Sequence, residues 1–96
     1  MFEERFEFLI VGDIDVFDNW NNIMTPNSID CQIIEKDNWL YYRVGEDEFN
    51  YSIEPPGIQM MFNREMPLEK ARIIVNEILI NLKLAGQEAE VIEIFQ

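Results

Sequence analysis

The sequence predicts an α+β domain: a single, mostly antiparallel sheet of about five to six strands, with a long C-terminal helix and a short N-terminal helix packed on one face. Several short segments alternate apolar and polar residues between turn residues, which is typical of strands. One segment, 67–85, instead repeats apolar residues every three or four positions, as a helix does. The chain has 96 residues and no linker-like stretch, so we expect one domain, 1–96.

The N-terminal part of the chain predicts one strand and one short helix. Apolar and polar residues alternate from Glu3 to Val11, which predicts the first strand. After Gly12, apolar residues recur at helical spacing and predict a short helix or helical turn that contains Val16, Phe17, Trp20, Ile23 and Met24. Pro26 ends this helix, and Trp20 is expected to anchor it to the sheet.

Four strands in meander order are predicted next, over 29–34, 39–44, 48–54 and 58–62. Asp37 and Asn38 form a plausible two-residue turn between the first two of them. Pro55 breaks the ladder after the third strand, because proline donates no backbone hydrogen bond. In the fourth strand, Met60 and Phe62 are expected to face the core.

The long helix is predicted over about 67–85. Pro67 suits its first turn, where a missing amide donor costs little, and Gly86 suits its left-handed stop. The apolar stripe, widened by residues 74 and 79, consists of Leu68, Ala71, Val75, Ile78, Leu82 and Ala85. A last strand is expected over 89–95. Because both helices pack on one face, the other face of the sheet is left to solvent or to a partner.

The charge balance favours binding over catalysis. The chain has 19 acidic and 7 basic residues, which give a formal net charge of -12. Such a field repels nucleic acids and anionic membranes, and it accelerates association with positively charged proteins. The sequence contains no histidine, the side chain most suited to proton transfer and metal binding at neutral pH. We therefore expect a non-enzymatic protein with no cofactor, whose partner is a basic protein.

Three aspartates, Asp13, Asp15 and Asp18, lie close together after the first predicted strand. Carboxylates suit hard cations, but a calcium loop needs glycine at its sixth position and glutamate at its twelfth. Asp18 and Met24 occupy those positions, so no metal site is predicted. Two compatible interpretations stay open. The aspartates cap the following helix, or they form a patch that pairs with lysines and arginines of a basic protein.

A second acidic cluster, Glu46, Asp47 and Glu48, occupies a predicted turn between two strands. A solvated hairpin tip is the plain interpretation. Arginine binds carboxylate and phosphate with similar bidentate geometry, so a row of carboxylates can also enter the nucleic-acid groove of another protein. The spacing does not decide between these interpretations.

One face of the strand predicted over 39–44 carries Trp39, Tyr41 and Arg43. These side chains either pack in the core or take part in an interface. Tryptophan, tyrosine and arginine are enriched among the residues that dominate binding energy at interfaces. Trp39, Tyr41 and Tyr51 are therefore candidate anchors for a partner, beside the six acidic residues of the two clusters. The neighbouring strand is expected to supply a polar rim from Glu48, Asn50 and Ser52.

The chain shows no feature of export or membrane insertion. Cys31 is the only cysteine, so no internal disulfide can form, and we expect it to fill space in the core. The first residues are acidic where a signal peptide needs a basic region, and no apolar run approaches the ~18 residues of a membrane helix. A cytoplasmic protein is expected.

Small size, a strong acidic balance and an α+β layout together resemble the immunity proteins of bacterial polymorphic toxin and contact-dependent inhibition systems. The resemblance is of general type over the whole chain, and the paired tryptophan and glycine signature of the large immunity superfamily is not present. It implies an antitoxin that binds a cognate toxin domain, often a basic nuclease, and blocks its active site or substrate groove. No residue role is carried over from it.

Two further hypotheses compete with an immunity protein. One is a DNA mimic that occupies the nucleic-acid channel of a restriction or CRISPR effector, which requires carboxylates in rows at phosphate-like spacing. The other is a homodimeric structural or adaptor protein, in which the open sheet face binds a second copy and the charge serves solubility. The oligomeric state of the isolated chain separates this last hypothesis from the other two.

Overall fold

A computed structural model describes residues 4–15, 17–54, 57–63 and 65–95, and it confirms the α+β class. One sheet contains the strands β1 (Glu4–Asp13), β2 (Gln32–Lys36), β3 (Trp39–Val44), β4 (Asp47–Glu54), β5 (Gly57–Asn63) and β6 (Glu88–Phe95). The helices are α1 (Trp20–Ile23), which follows a 3-10 turn over Phe17–Asn19, and α2 (Leu68–Leu84). Three residues assigned in the sequence analysis lie outside the described residues: Glu3, Val16 and Pro55.

The strand order is β2-β3-β4-β5-β1-β6, and every neighbouring pair in it is antiparallel. The run from β2 to β5 is the predicted meander. The N-terminal strand β1 then lies inside the sheet, between β5 and the C-terminal strand β6. As a result, β2 and β6 form the two edges.

Three elements differ from the predicted ranges by two residues or more, and the other differences are of one residue. Strand β1 extends to Asp13, beyond the predicted end at Val11, because β6 continues the ladder as far as the pair of Asp13 with Glu88. Strand β2 begins at Gln32 instead of residue 29, because the Glu77 carboxylate of α2 binds the preceding segment. The short α-helix has only four residues.

The turn between β2 and β3 is confirmed in detail. Asp37 and Asn38 have φ values of 54° and 65°, and both therefore lie in the left-handed region. A two-residue hairpin loop with positive φ at both positions matches the twist of its strands. Asparagine and aspartate tolerate this conformation better than most residues.

The core lies between the sheet and α2. Aromatic rings form a continuous row across four strands: Tyr42 stacks on Phe49, Phe49 contacts Phe62, and Phe62 meets Phe8 edge to face, with centroid distances of 5.2, 5.4 and 5.5 Å. Met60 and Phe62 face this core, as predicted, and both are fully buried. Such pairs add stabilisation beyond the burial of their surface.

Helix α2 covers the core with the predicted stripe, since Ala71, Ile74, Val75, Ile78 and Leu82 are buried. Ala85, which was predicted in this stripe, is exposed because it lies at the C-cap. The helix ends in a Schellman motif, in which the amide of Gln87 donates to the carbonyl of Leu82 and that of Gly86 donates to Lys83. Gly86 has a φ of 81°, as its predicted role requires.

The short helix α1 is fastened to the sheet by Trp20, as predicted. Its indole Nε1 donates to the Tyr42 hydroxyl at 2.8 Å, and its ring meets Tyr51 edge to face at 5.3 Å. Both helices therefore lie on the same side of the sheet.

Cys31, which was expected to fill space in the core, is half-buried and packs against the core. Burial raises the pKa of its thiol.

Candidate protein-binding surface

The side of the sheet away from α1 and α2 is covered by no described helix, and we call it the open face. Residues that pair directly across an antiparallel ladder point to the same side. Leu9 pairs with Ile92 and with Gln59, and Gln59 pairs with Ser52, so these four share the open face. The pairs Arg43 with Glu48 and Lys36 with Trp39 extend it to β2 and β3.

An apolar patch lies on the open face at the β6 edge. Ile92 and Ile94 are 49% and 37% exposed. Ile92 pairs with the half-buried Leu9 and is diagonal to the half-buried Val11, while Ile94 pairs with Glu7 and is diagonal to Leu9. The alternation within the predicted strand 89–95 puts Ile92 and Ile94 on one face, but periodicity does not show that this face is uncovered. We call these four residues the β6 patch.

Acidic side chains continue the same strand beyond the β6 patch. Glu90 pairs with Val11, and Glu88 pairs with Asp13, so both glutamates lie on the open face and both are exposed. The backbone amide of Asp15 donates to the side-chain oxygen of Gln87 at 2.7 Å, which places Asp15 beside the start of β6. We call Asp15, Glu88 and Glu90 the acidic end. The side chain of Asp13 lies outside the described part.

The aspartate cluster does not cap the short helix. The N-cap residue of α1 is Asn19, and its side chain makes no capping hydrogen bond. Asn19 instead accepts a hydrogen bond from the Asn22 amide at 3.2 Å. Asp18 lies in the preceding 3-10 turn and is exposed. The capping interpretation of these acids is therefore wrong for α1, while pairing with a basic partner stays a prediction.

The second predicted cluster is largely neutralised within the molecule. Asp47 forms an ion pair with Lys70 at 2.8 Å, and Glu48 forms one with Arg43 at 2.7 Å. The hydrogen bond from Arg43 holds the pKa of Glu48 below its usual value, against the opposing effect of partial burial. Of the three, Glu46 alone is exposed, and the other two are half-buried. The three acids were expected to face a partner together. This is corrected, because Asp47 and Glu48 are held by cations of the same molecule.

The two predicted acidic clusters lie at opposite ends of the strands. The amide of Glu48 donates to the side chain of Asn63 at 2.9 Å, and Asn63 pairs with Glu4 at the start of β1. Asp13 ends the same strand. At the rise of an extended chain, ten residues separate the clusters by roughly 30 Å.

The three predicted aromatic anchors have three different environments. Trp39 is on the open face and 46% exposed. Tyr41 is half-buried there, with the ammonium of Lys36 at 4.6 Å from its ring centroid. Tyr51 lies in the core, where its hydroxyl donates to the carbonyl of Met24 at 2.7 Å and burial raises its pKa well above the usual value. Tyr51 is therefore wrong as a surface anchor.

The predicted polar rim also differs from the structure. Asn50 lies on the open face, as its pairing with Met61 requires, yet it is only 4% exposed. Its Oδ1 atom has no hydrogen-bond partner among the described residues. Glu48 is engaged by Arg43, as described above. Ser52 is half-buried and stays at the surface of this strand.

Almost all lysines and arginines whose side chains are described form ion pairs within the molecule. Lys36 and Arg43 contact Glu48, Lys70 contacts Asp47, and Arg72 contacts Glu93. Of the cations with described side chains, this leaves Lys83. Several exposed acids form no ion pair with a described residue: Asp15, Asp18, Asp30, Glu35, Asp37, Glu46, Glu65, Glu88 and Glu90. Among the described side chains, the solvent-facing charge that forms no ion pair is consequently almost entirely negative.

Comparisons of the chain with protein-family models, curated proteins and solved structures found no match. Among the described side chains, no three acids or thiols converge in a way that could hold a metal ion. In the same part of the chain, no helix has the length and apolar character needed to span a membrane. A function must therefore be argued from the surface itself.

Proposed function

We propose that this chain is a non-enzymatic, cytoplasmic immunity protein that neutralises a basic bacterial toxin, a nuclease domain, by stoichiometric binding. The observation that carries the proposal is the distribution of ion pairs. Four described cations are engaged by Asp47, Glu48 and Glu93, whereas the nine exposed acids named above form no ion pair with a described cation. Such a surface attracts lysine and arginine of another protein over a long range.

The acidic end and the β6 patch give this partner a defined place to bind. Glu88 and Glu90 lead along one strand into Ile92 and Ile94, all on the open face. An apolar centre bordered by charge is the arrangement found at protein interfaces. Lysines and arginines of the toxin pair with the acidic end, and apolar side chains cover the β6 patch. Trp39 is exposed on the same face and is the remaining candidate anchor.

The distribution of acids favours this hypothesis over a DNA mimic. A mimic needs rows of available carboxylates at phosphate-like spacing. Asp47 and Glu48 are held in ion pairs, and Glu46 is at the other end of the strands from the acidic end. The surface is therefore better described as a single apolar and acidic site for a toxin than as a continuous row of carboxylates.

The test begins with capture of the partner. Tagged protein is incubated with nuclease-treated lysate of its source organism at low salt, and bound proteins are eluted at high salt and identified by mass spectrometry. The captured protein is then produced and assayed for cleavage of plasmid DNA and of RNA. We expect a basic nuclease whose activity is abolished at a 1:1 molar ratio. Cleavage that continues at excess inhibitor would contradict the proposal.

A matched pair of variants tests the assigned surface. The first carries Asp15→Asn, Glu88→Gln and Glu90→Gln, and the second carries Glu35→Gln, Asp37→Asn and Glu65→Gln. Both lose three negative charges from exposed positions. We expect the first to slow association with the captured nuclease by about tenfold or more at low salt, and the second by a smaller factor. Equal slowing would show that net charge acts without a defined site at the acidic end.

A further inference from the structure

Helix α2 carries a second apolar stripe on the side that faces away from the sheet. Ile73, Ile80 and Leu84 are 57%, 56% and 82% exposed, the three highest values among the large apolar side chains described. At a helical advance of about 100° per residue, the three point in nearly the same direction, roughly opposite to the buried stripe. We call them the outer stripe.

The outer stripe is expected to pack against a second surface, as the apolar stripe on the inner side of α2 packs against the sheet. Helices at the surface of a globular protein usually present polar residues to solvent, and helices with apolar residues on both sides are buried on both. Single exposed apolar residues are ordinary, but several on one side of the same element mark an interaction site. In the outer stripe, the turn that carries Asn76 and Glu77 separates Ile73 from Ile80. The row spans three turns of α2 and lies on the opposite side of the molecule from the open face.

The charge of α2 indicates which kind of protein covers the outer stripe. The helix contains Lys70, Arg72 and Lys83 against Glu69 and Glu77, so its own formal charge is +1 in a chain of -12. Lys70 and Arg72 pair with Asp47 and Glu93, and with these two acids included the charge at α2 is -1, so a basic partner gains little attraction at this element. For two copies of the same acidic chain, in contrast, contact through α2 brings together the least acidic part of each. Contact through the open face would bring the two acidic ends into proximity.

We propose that the outer stripe is a homodimer interface, in which α2 packs against α2 of a second copy in antiparallel orientation. If the helices cross near Asn76, Ile73 of each copy lies close to Ile80 of the other, and Glu69 faces Lys83. A parallel arrangement would place Lys83 against Lys83 instead. A two-fold axis through the crossing point closes the assembly at two chains.

The dimer goes beyond the proposed function and uses a different surface. Two copies joined through α2 leave both open faces directed outwards, so each dimer presents two acidic ends. The interface therefore neither requires nor blocks the binding of a basic partner. It also differs from the dimer considered in the sequence analysis, which would use the open face.

The test compares Ile80→Lys with Ile92→Lys by sedimentation equilibrium at micromolar concentrations. Both residues are exposed isoleucines, and both substitutions make the chain less negative. A lysine lowers the general repulsion between copies, so weaker dimerisation must come from the interface itself, through the lost apolar contact and the cost of burying the new charge. We expect wild type and Ile92→Lys to have twice the mass of one chain, and the dissociation constant of Ile80→Lys to rise at least about tenfold.

Two results would overturn the proposal. The first is a wild-type protein that stays monomeric across the concentration range, and the second is an Ile80→Lys variant that dimerises like wild type. Loss of the dimer in Ile92→Lys alone would assign the interface to the open face. Thermal melting of both variants, followed by circular dichroism, checks that each is folded at the temperature of the experiment.

The antiparallel orientation has its own test in a Cys31→Ser background. Glu69→Cys and Lys83→Cys chains, one of them carrying a mass tag, are treated with a short bismaleimide separately and as a mixture. We expect the cross-linked species of mixed mass to form faster than either cross-linked species of a single variant. Faster cross-linking within each variant would show a parallel arrangement and overturn this orientation.

Discussion

At the scale of single residues, Gly57 lies where two strands approach so closely that a side chain has no room. A Cβ atom added to Gly57 would lie 2.0 Å from the carbonyl oxygen of Ile10. The situation at Gly12 is similar, with the carbonyl oxygen of Glu88 at 2.1 Å. Gly86 is glycine for another reason, because its φ is positive while the space around it is open.

We expect Gly57→Ala to destabilise the protein by about 2 to 4 kcal/mol, because the clash is with backbone that can move only by distorting the sheet. Gly86→Ala is the matched control, and its left-handed φ should cost about 1 kcal/mol. Urea unfolding of both variants measures the difference. A cost for Gly57→Ala no greater than that for Gly86→Ala would show that the strands separate easily at this point.

At the scale of elements, α2 organises the rest of the molecule through its polar residues. Lys70 donates to the carbonyl of Val44 at 2.7 Å and pairs with Asp47, which ties the start of α2 to the β3–β4 turn. Further along, Asn81 donates to the carbonyl of Ile23 at 3.1 Å. Glu77 accepts hydrogen bonds from the amides of Asn27 and Ser28 and from the Ser28 hydroxyl, at 2.7 to 2.8 Å.

Glu77 should make the attachment of this segment sensitive to acid. Partial burial acts to raise its pKa, but the hydrogen bonds from Ser28 and Asn27 outweigh this effect and the pKa is lowered. A carboxylate with a lowered pKa stabilises the fold above its unfolded-state pKa. This contribution is lost as the pH falls through the folded-state pKa.

We therefore expect Glu77→Gln to cost roughly 1 kcal/mol at neutral pH, since charge-assisted hydrogen bonds are replaced by weaker ones. The difference from wild type should shrink as the pH is lowered through the glutamate range. Urea unfolding across that range measures it, with the exposed Glu35→Gln as the control for loss of one charge. A difference that does not change with pH would assign the effect to shape and not to charge.

At the scale of the whole molecule, the described cations and acids are unevenly distributed. The ion pairs of Asp47, Glu48 and Glu93 involve residues of β2, β3, β4, β6 and α2, while the acidic end and Glu46 face solvent and form no ion pair with a described cation. Like charges near one another oppose the compact state, and salt screens this repulsion. The charge proposed to attract a partner therefore lowers the stability of the free protein.

We expect the thermal midpoint to rise by about 5 °C between about 0.02 and 0.5 M NaCl, as screening reduces the repulsion among exposed acids. The Asp15→Asn, Glu88→Gln, Glu90→Gln variant should melt higher than wild type at low salt and gain less from added salt. Circular dichroism melts measure both quantities. A midpoint that is unchanged or lower at high salt would mean that the internal ion pairs outweigh the repulsion.

Much of the fold could be predicted because its signals are local. The Asp37–Asn38 turn, the start of α2 after Pro67 and its stop at Gly86 each depend on the conformational preferences of a few adjacent residues. The candidate protein-binding surface was harder to predict from the sequence. Tyr51 alternates with polar neighbours as a surface residue could, but its face of β4 is the one that Trp20 and Met24 cover.

The sequence by itself determined the fold class, the elements and the excess of negative charge, because periodicity and composition are properties of the chain. Only the tertiary structure decided the position of β1 between β5 and β6, the partners of Asp47 and Glu48, and the exposure of the β6 patch and the outer stripe. The physical reason is that alternation shows that two faces differ, whereas contacts between residues far apart in sequence decide which face is covered and which charge is paired.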